Sequence, residues 1–375
     1  FDAKCVSCHA GGAGDPFAGQ SYNIYVMREN STMEEMYTIP ILDLSTLDDG
    51  PDAAHEFREA LLAATHDVGF FYLTGHGLTD DDIATAFATA ERFFALPLED
   101  KVRVEMVNSP HFRGYNRTGG ELTQGRVDWR EQIDIAAERA AVTDRAAPAY
   151  MRLEGPNQWP SGLPELRETF TVWEQRCAAI GARLLREWAL ALGSPADVFD
   201  DAFADRPSTL IKLVRYPGRR EDDRAAQGVG AHKDPGVLTL LMIEPGKGGL
   251  QVEHLGGWID APAMPGAFVV NIGELMEFAT SGYLKATTHR VVSPAPGDVR
   301  LSIPFFLNPA LDSTMPVIDL PPVLAADSRG VTQDPDNVIS GTFGENMLKA
   351  RLRAHPDVAA RHHADLVDRA SSGHE

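Results

Sequence analysis

The sequence has few cysteines and no long apolar run, and each shortage excludes a class of protein. Only three cysteines, Cys5, Cys8 and Cys177, occur in 375 residues. Three thiols cannot build a disulfide framework, which favours a reducing compartment and predicts a cytoplasmic protein. No apolar run approaches the roughly 18 residues that a membrane span needs, so no span is predicted.

Positive charge and nucleotide-binding glycine motifs are also scarce. The chain has 34 basic and 54 acidic residues, for a net charge of −20. Such a balance repels a phosphate backbone, so nucleic acid is not an expected partner. No Gly-x-Gly-x-x-Gly follows a predicted strand, which leaves a nicotinamide or flavin fold unsupported. The 43% hydrophobic content is ample for the core of a soluble enzyme with one large or two ordinary domains.

Residues 33–205 are predicted to be mainly helical around a few strands. Helices are expected at Asp52–Thr65 and at Thr79–Phe94, where Thr79 is a capping residue. A third helix carries apolar residues at intervals of three and four, and Gly193 ends it. The stripe is predicted to be core and consists of Phe170, Trp173, Cys177, Ile180, Leu184 and Trp188.

The predicted secondary structure changes at about residue 206. Residues 206–312 contain short apolar strands separated by Gly and Pro turns, which favours a jelly roll over a parallel sheet. Residues 313–375 contain one predicted helix, Thr342–Arg353. On that helix, Phe343 and Leu348 are predicted to pack on the barrel rather than to line a site. The expected fold class is α+β with a mainly β core.

Residues 1–32 form an unassigned leader with one motif. Cys5-Val6-Ser7-Cys8-His9 matches the C-x-x-C-H pattern of covalent c-type haem attachment. The segment between this motif and the rest of the chain is too short to wrap a haem. The leader is therefore interpreted as a truncated or misassigned upstream segment.

The most informative pattern is a set of metal-binding residue types on predicted strands. His232 and Asp234 lie in the apolar, β-branched stretch Val229–Ile243, and residues two apart on a strand point to the same side. His289 lies on another predicted strand, and residues 235–288 let it reach the same point. Two imidazoles and one carboxylate with open positions are typical of non-haem Fe(II) oxygenases.

A second pair of residues repeats the spacing of two. Arg300 and Ser302 lie on the predicted apolar strand Arg300–Phe306. The planar guanidinium of arginine binds a carboxylate through two parallel hydrogen bonds, and a serine hydroxyl adds a donor beside it. Either pair alone is common by chance. In this order and on predicted strands, the two pairs indicate oxygen chemistry at iron with an acidic co-substrate.

These residues, with several other segments, resemble the isopenicillin N synthase-like group of Fe(II)/2-oxoglutarate-dependent dioxygenases. The resemblance extends from Ile39 to Arg353, most of the chain, and does not specify a substrate. Its other marks are the segments Ile39–Leu44, Gly69–Tyr72, His76–Leu78, Phe93–Pro97, Arg113–Tyr115, Asp128–Glu131 and Arg215–Gly218.

The resemblance implies a double-stranded β-helix core and a defined set of ligands. These are His232, Asp234 and His289 for Fe(II), and Arg300, Ser302 and Tyr216 for 2-oxoglutarate. With O2 as the second co-substrate, the implied reaction oxidises a small-molecule C–H bond by hydroxylation, desaturation or cyclisation, and releases succinate and CO2. One departure is Val214, which stands where some plant relatives have asparagine.

Three alternatives stay open. Gly228–His232 and Gly344–Met347 also resemble the bacterial ethylene-forming enzymes, which fragment 2-oxoglutarate itself. A Zn²⁺-dependent hydrolase with the same three ligands leaves Arg300 and Ser302 unexplained. An electron-transfer protein would depend on the haem motif of the leader. The primary substrate and the oligomeric state are not indicated.

Several other polar and aromatic residues receive structural interpretations. Asp128 and Glu131 are predicted to anchor a loop by pairing with Arg113 or Arg117, and a role in substrate binding is the less favoured alternative. Three histidines are predicted to be solvated in the polar C-terminal segment: His355, His362 and His363. Three aromatic residues are candidates for pocket lining or for core packing: Phe268, Phe305 and Phe306.

Overall fold

The computed structural model describes residues 39–144, 146–218, 227–331 and 338–366. The predicted leader, with Cys5, Cys8 and His9, lies outside these residues. Within them, the strands are β1 (Ile41–Asp43), β2 (Phe70–Thr74), β3 (Gly114–Asn116), β4 (Leu122–Thr123), β5 (Arg126–Val127), β6 (Glu131–Ala136), β7 (Ser208–Pro217), β8 (Gln227–His232), β9 (Leu238–Ile243), β10 (Leu250–His254), β11 (Gly257–Asp260), β12 (Phe268–Ile272), β13 (His289–Val292) and β14 (Val299–Asn308).

Helices precede, interrupt and follow these strands. The α-helices of the described residues are α1 (Pro51–Asp67), α2 (Asp80–Phe94), α3 (Leu98–Arg103), α4 (Glu165–Ala191), α5 (Asp200–Phe203), α6 (Glu274–Ala279), α7 (Pro322–Ala326), α8 (Phe343–Ala354) and α9 (Pro356–His362). Short 3-10 helices lie at Leu44–Asp48, Met106–Asn108 and Ala149–Leu153. None of the helices described here has the length and apolar character that crossing a bilayer requires.

Two sheets form the core, and a small hairpin of β4 and β5 lies beside them. In the described chain, the large sheet has the order β1-β2-β12-β9-β14-β7-β6-β3 and the small sheet the order β11-β10-β13-β8. Apart from the parallel β1–β2 pair, neighbouring strands are antiparallel. One apolar cluster joins side chains of both sheets, including Val214 and Tyr216 of β7 and Val229 of β8. The sheets therefore pack face to face, and the predicted jelly roll is confirmed.

The outer face of the large sheet packs against helices. Every predicted member of the apolar stripe on α4 is buried, and Cys177 is fully so. Gly181 lets α4 approach the sheet, since a Cβ atom there would lie 2.5 Å from a Leu307 methyl group. Burial of such a stripe removes apolar surface from water and is the main stabilising contribution to this layer.

The helices predicted from the sequence are present with nearly the expected limits. Thr79 caps α2 by accepting a hydrogen bond from the Asp82 amide, while the Asp82 carboxylate accepts from the Thr79 amide. The expected C-terminal helix is α8, and its Phe343 and Leu348 pack in the core. Both predictions are confirmed.

The C-terminal histidines differ from the prediction. His355 is fully buried and His363 is 1% exposed, so the expectation that they are solvated is wrong. Helix α9 folds back onto the segment around Met106–Asn108, where His362 and His363 bond through Nε2 to the carbonyls of Val107 and Pro110. The polar composition of this segment suggests solvent exposure. The sequence does not show that its hydrogen-bond partners are buried, because those partners are distant in the chain.

Candidate active site

Strand pairing brings the two predicted histidine ligands together. His232 is the last residue of β8, and it lies directly opposite His289, the first residue of β13. Asp234 follows two residues after the end of β8, in the connection to β9. The expectation that His232 and Asp234 share one strand is therefore wrong in detail, although their side chains still converge.

The three side chains offer one ligand atom each to a common point. Nε2 of His232 lies 3.6 Å from Oδ1 of Asp234, and Nε2 of His289 lies 3.8 Å from the same oxygen. All three ligand atoms lie within 4.8 Å of one another. Among the described residues, this is the one group of three or more His, Cys, Asp and Glu residues with such geometry.

Backbone carbonyls determine which imidazole nitrogen faces the common point. Nδ1 of His232 lies 2.8 Å from the Gly230 carbonyl, and Nδ1 of His289 lies 3.1 Å from the Thr287 carbonyl. A carbonyl oxygen can only accept, so each Nδ1 carries a proton, and in the neutral imidazole Nε2 keeps its lone pair. Histidines that bind metals are oriented in this way.

The Asp234 carboxylate is oriented by two side chains. Its Oδ2 accepts hydrogen bonds from Thr239 Oγ1 at 2.6 Å and from Asn271 Nδ2 at 2.9 Å. Oδ1 is left to face the imidazoles. Burial alone would raise the pKa of Asp234, but the neighbouring His289 and His232 outweigh it and hold this pKa below its ordinary range. The carboxylate is therefore charged.

The two imidazoles differ in their electrostatic environment. Burial, together with the charge of His232, lowers the pKa of His289 to about 4. Burial also acts to lower the pKa of His232, but the Asp234 carboxylate reverses the effect and raises it. At pH 7, His289 is thus neutral and ready to donate its lone pair.

Arg300, Ser302 and Tyr216 come together on the inner face of the large sheet. Arg300 of β14 pairs with Tyr216 of β7, and its guanidinium lies 4.8 Å from the centroid of that ring. Nη1 of Arg300 donates to Ser302 Oγ at 3.2 Å. All three residues are buried, so the arginine charge lies inside the sandwich.

One edge of the Arg300 guanidinium is free. Within the described chain, Nε and Nη2 are buried and make no hydrogen bond. A buried donor without an acceptor costs free energy, and a guanidinium more so than a neutral group. Nε and Nη2 form the edge that binds a carboxylate side-on through two hydrogen bonds. The residues present therefore fit an acidic molecule that ends at Arg300.

Three apolar side chains on the inner face near these residues are only partly buried, which indicates a chamber between the sheets. Leu241, Pro304 and Phe306 occupy the inner face at the centre of the large sheet, where close packing would bury them, yet each is partly exposed. Phe268 and Phe305 point the other way and are fully buried in the core. Of the three candidate aromatic residues, only Phe306 is placed to line a chamber.

Sequence reasoning missed the residues that orient Asp234. Thr239 and Asn271 are polar residues inside apolar strands, Leu238–Ile243 and Phe268–Ile272. A buried polar side chain must find a partner, so its presence in such a strand was a usable signal.

The predicted partners of Asp128 and Glu131 are also wrong. Asp128 pairs with Arg130, and Glu131 pairs with Lys101 and Arg215. Arg113 donates to the carbonyls of His111 and Leu153 instead, while Arg117 pairs with Glu105.

Two family profiles match the chain. The first, described as the N-terminal region of the non-haem dioxygenase in morphine synthesis, covers residues 39–162. The second, described as the 2OG-Fe(II) oxygenase superfamily, covers residues 208–309. The second match spans all six residues of the site.

Characterised relatives are similar over most of the chain. The 2-oxoglutarate-dependent dioxygenase frbJ of Dothideomycetidae sp. (strain 11243) is 37% identical, over 86% of this chain and 91% of its own length. Homoarginine-6-hydroxylase 2-ODD-C23.1 of Arabidopsis thaliana is 34% identical, over 76% and 88%. A full-length Neurospora crassa protein, solved in complex with alpha-KG and thymine, has a TM-score of 0.68 and 27% identity, over 85% of this chain and 98% of its own.

Proposed function

Because the chain belongs to the 2OG-Fe(II) oxygenase superfamily, we propose that the converging side chains of β8 and β13 form its iron site. His232, Asp234 and His289 are the Fe(II) ligands in this proposal. The protein is an Fe(II)/2-oxoglutarate-dependent dioxygenase that uses O2 to oxidise a small molecule. The proposal adds to this family membership the roles of individual residues and the kind of substrate.

The observation that carries the assignment is the arrangement of ligand atoms. Each imidazole has its Nδ1 committed to a carbonyl, and Asp234 has one oxygen committed to Thr239 and Asn271. The atoms left over face one another within 4.8 Å. Two imidazole nitrogens and one carboxylate oxygen suit Fe(II) and leave open positions for a second ligand.

Arg300 is proposed to bind 2-oxoglutarate through its free edge. Ser302 Oγ accepts a hydrogen bond from Nη1, and the guanidinium lies over the Tyr216 ring. The pre-oriented edge binds a carboxylate with little further loss of conformational freedom. When bound, Fe(II), 2-oxoglutarate and O2 supply the oxidising chemistry, in which the co-substrate becomes succinate and CO2 and a substrate C–H bond is oxidised.

The chain's own residues orient the reactants and keep water away. The Gly230 and Thr287 carbonyls hold the Nδ1 protons of the two imidazoles, so that Nε2 of each ring is the atom directed at a metal. Leu241, Pro304 and Phe306 give the chamber an apolar lining that limits water near the reaction. One relative is named for homoarginine and another was solved with thymine. These two compounds differ chemically, so the relatives support a small-molecule substrate without selecting one.

Anaerobic titration with Fe(II) and then 2-oxoglutarate tests the proposal. We expect a weak visible charge-transfer band that requires both additions, and O2-dependent succinate release when the right substrate is present. Absence of the band, or turnover that proceeds without O2 as in a Zn²⁺ hydrolase, would contradict the assignment. Ethylene in the headspace with 2-oxoglutarate and arginine would identify the alternative fragmentation reaction.

A further inference from the structure

A row of polar side chains continues along the inner face beside the proposed co-substrate site. Lys212 lies four residues before Tyr216 on β7, on the same side of that strand, and pairs with Asp134 of β6. Gln132 lies two residues before Asp134 and pairs with Val214. Side chains from other elements join this row. The inner cluster consists of Glu121, Asp128, Arg130, Gln132, Asp134, Lys212, Arg351 and His355.

Ion pairs connect the inner cluster into one chain. Arg130 Nη2 lies 2.9 Å from Glu121 Oε2, and Lys212 Nζ lies 2.8 Å from Glu121 Oε1. Lys212 is 3.9 Å from the Asp134 carboxylate, which Arg351 of α8 contacts at 2.7 Å. None of these five side chains is more than 11% exposed.

The inner cluster is attached to the proposed iron site. Asp128 pairs with Arg130, and its Oδ1 accepts from the Gly230 amide at 3.2 Å. The carbonyl of the same Gly230 holds His232. Arg130 is therefore linked through Asp128 to the backbone that orients His232.

Three polar atoms of the inner cluster are buried without a hydrogen bond in the described chain. One of them, Glu121 Oε2, still has its ion pair with Arg130. Among the described residues, Arg130 Nε finds no acceptor and Gln132 Oε1 finds no donor. Arg130 is 9% exposed and Gln132 is 1% exposed. A free guanidinium N–H suits a carboxylate or carbonyl oxygen, and a free amide oxygen suits an ammonium or amide N–H.

The charges of the inner cluster cancel. Its carboxylates are Glu121, Asp128 and Asp134, and its cations are Arg130, Lys212 and Arg351. Burial lowers the pKa of His355 to about 4, so that this residue is neutral at pH 7. Beside it, Fe(II) and Arg300 would balance Asp234 and the two carboxylates of 2-oxoglutarate. A molecule with a net charge would therefore add an uncompensated charge to a buried site, which is costly.

We propose that the inner cluster is the substrate-recognition wall, and that the substrate is a net-neutral small molecule carrying both a carboxylate or carbonyl oxygen and an N–H donor. Arg130 Nε binds the oxygen, and Gln132 Oε1 accepts from the N–H group. Zwitterionic amino acids and uncharged lactams, such as pyrimidine bases, share this chemistry. The proposal rests on the proposed function, since it assigns the substrate of the same site.

Arg130→Lys is the sharpest variant. Lysine keeps the charge that pairs with Glu121 and Asp128 but has no Nε. The variant therefore tests substrate binding by Nε while the ion pairs are kept. The matched control is Arg215→Lys, in a partly buried ion pair with Glu131 on the other face of the same strands. We expect Arg130→Lys to raise the substrate KM at least about tenfold, and Arg215→Lys to change it less than about twofold.

The substrate panel uses wild-type protein with Fe(II) and 2-oxoglutarate. It compares neutral amino acids, pyrimidine bases, homoarginine as a cation, dicarboxylic acids and a hydrocarbon. Substrate-dependent succinate release is measured, and so is the change in the visible band on anaerobic substrate addition. Net-neutral compounds are expected to stimulate succinate release and to change the visible band. Whichever of the two groups, amino acids or lactams, stimulates more succinate release is the substrate class.

Several results would overturn the recognition proposal alone. These are a preference for the cation, the acids or the hydrocarbon, no response to any net-neutral compound, or equal KM values for the two lysine variants. In those cases the band with Fe(II) and 2-oxoglutarate would still form. Loss of that band in the wild-type protein would instead contradict the proposed function.

Discussion

Two buried polar clusters lie on opposite faces of β6, and they differ in how completely their hydrogen bonds are made. On the outer face, Glu131 accepts from Arg215, Lys101 and Tyr115, at 2.6, 3.1 and 2.6 Å. On the inner face, Arg130 Nε and Gln132 Oε1 have no partner in the described chain. The outer cluster is complete as a structural element, whereas the inner one has capacity left for a ligand.

The same contrast extends over the large sheet. Its outward side chains, such as Ile133, Leu213 and Phe305, belong to the main apolar core under the helices. Its inward side chains include Asp134, Lys212, Arg300 and Ser302. Because side chains alternate along each strand, residues that stabilise the core point outward and the polar residues of the site point inward. Substitutions on the two faces are expected to have different consequences.

The largest effect is expected at the metal ligands. His232→Ala or Asp234→Ala removes one of three donor atoms, so turnover should fall below about one-hundredth of the wild-type value. Succinate release and Fe(II) affinity measure the loss. Asp260→Ala, on the exposed strand β11, is the control. Unchanged turnover in either ligand variant would refute the metal site.

Adjacent phenylalanines on β14 test the comparison of faces directly. Phe305→Ala should lower the free energy of unfolding by about 3–5 kcal/mol, because the ring is fully buried in the core. Phe306→Ala should cost no more than about 2 kcal/mol and should mainly alter the substrate KM, since its ring is partly exposed to the chamber. Urea unfolding and steady-state kinetics report the two quantities. Equal losses of unfolding free energy in the two variants would contradict the assignment of Phe305 to the core and Phe306 to the chamber.

Loss of the co-substrate anchor should have a narrower effect. Arg300→Ala removes two charge-assisted hydrogen bonds to the proposed carboxylate, so the 2-oxoglutarate KM should rise on the order of 10- to 100-fold. Arg290→Ala provides a matched control, since this arginine stacks on Trp258 in the small sheet. The proposed role fails if both variants need the same 2-oxoglutarate concentration.

The smallest effect concerns the pH dependence of stability at the inner cluster. The pKa of His355 is about 4 in the folded protein and near 6.5 when unfolded. Between these values only the unfolded state gains the proton, so acidification should lower the free energy of unfolding by up to about 1.4 kcal/mol per pH unit. The groups that face His355 are Glu121, Asp134, Lys212, Arg351, Asn116 and Phe112.

Urea unfolding at pH 7, 6 and 5 measures this slope. His355→Gln should make the slope shallower, because glutamine has no proton to gain, while His289 still contributes. His55→Gln changes a histidine whose side chain is 70% exposed and should leave the slope as it is. A slope that is identical in wild-type protein and His355→Gln would show that His355 does not carry the effect.

Much of the site is predictable because its residues occur in short, chemically specific patterns. Residue type, order and spacing alone are enough to propose His232, Asp234, His289, Arg300 and Ser302 as site residues. The α4 stripe and the α2 cap are equally visible, since helix periodicity and capping are local properties. The position of Asp234 beyond the end of β8 cannot be predicted from the sequence, because strand ends depend on pairing with neighbouring strands.

The inner cluster is not predictable in the same way. In β6, Glu131–Ala136 is buried at every position, so its sequence does not reveal which side faces a chamber. Glu121, Lys212 and Arg351 meet across long separations in the chain, and the predicted partners of Asp128 are wrong. The expectation that His355 lies in solvent fails for the same reason.

By itself, the sequence determined the family and the main helices, and it supplied the residues proposed as iron ligands and as the co-substrate anchor. Each of these depends on residues near one another in the chain or on distinctive chemistry. Tertiary structure alone decided which face each strand turns inward, which imidazole nitrogen is free and which buried charges lack partners. Those properties depend on strand register and on contacts between distant segments, and no local pattern encodes them.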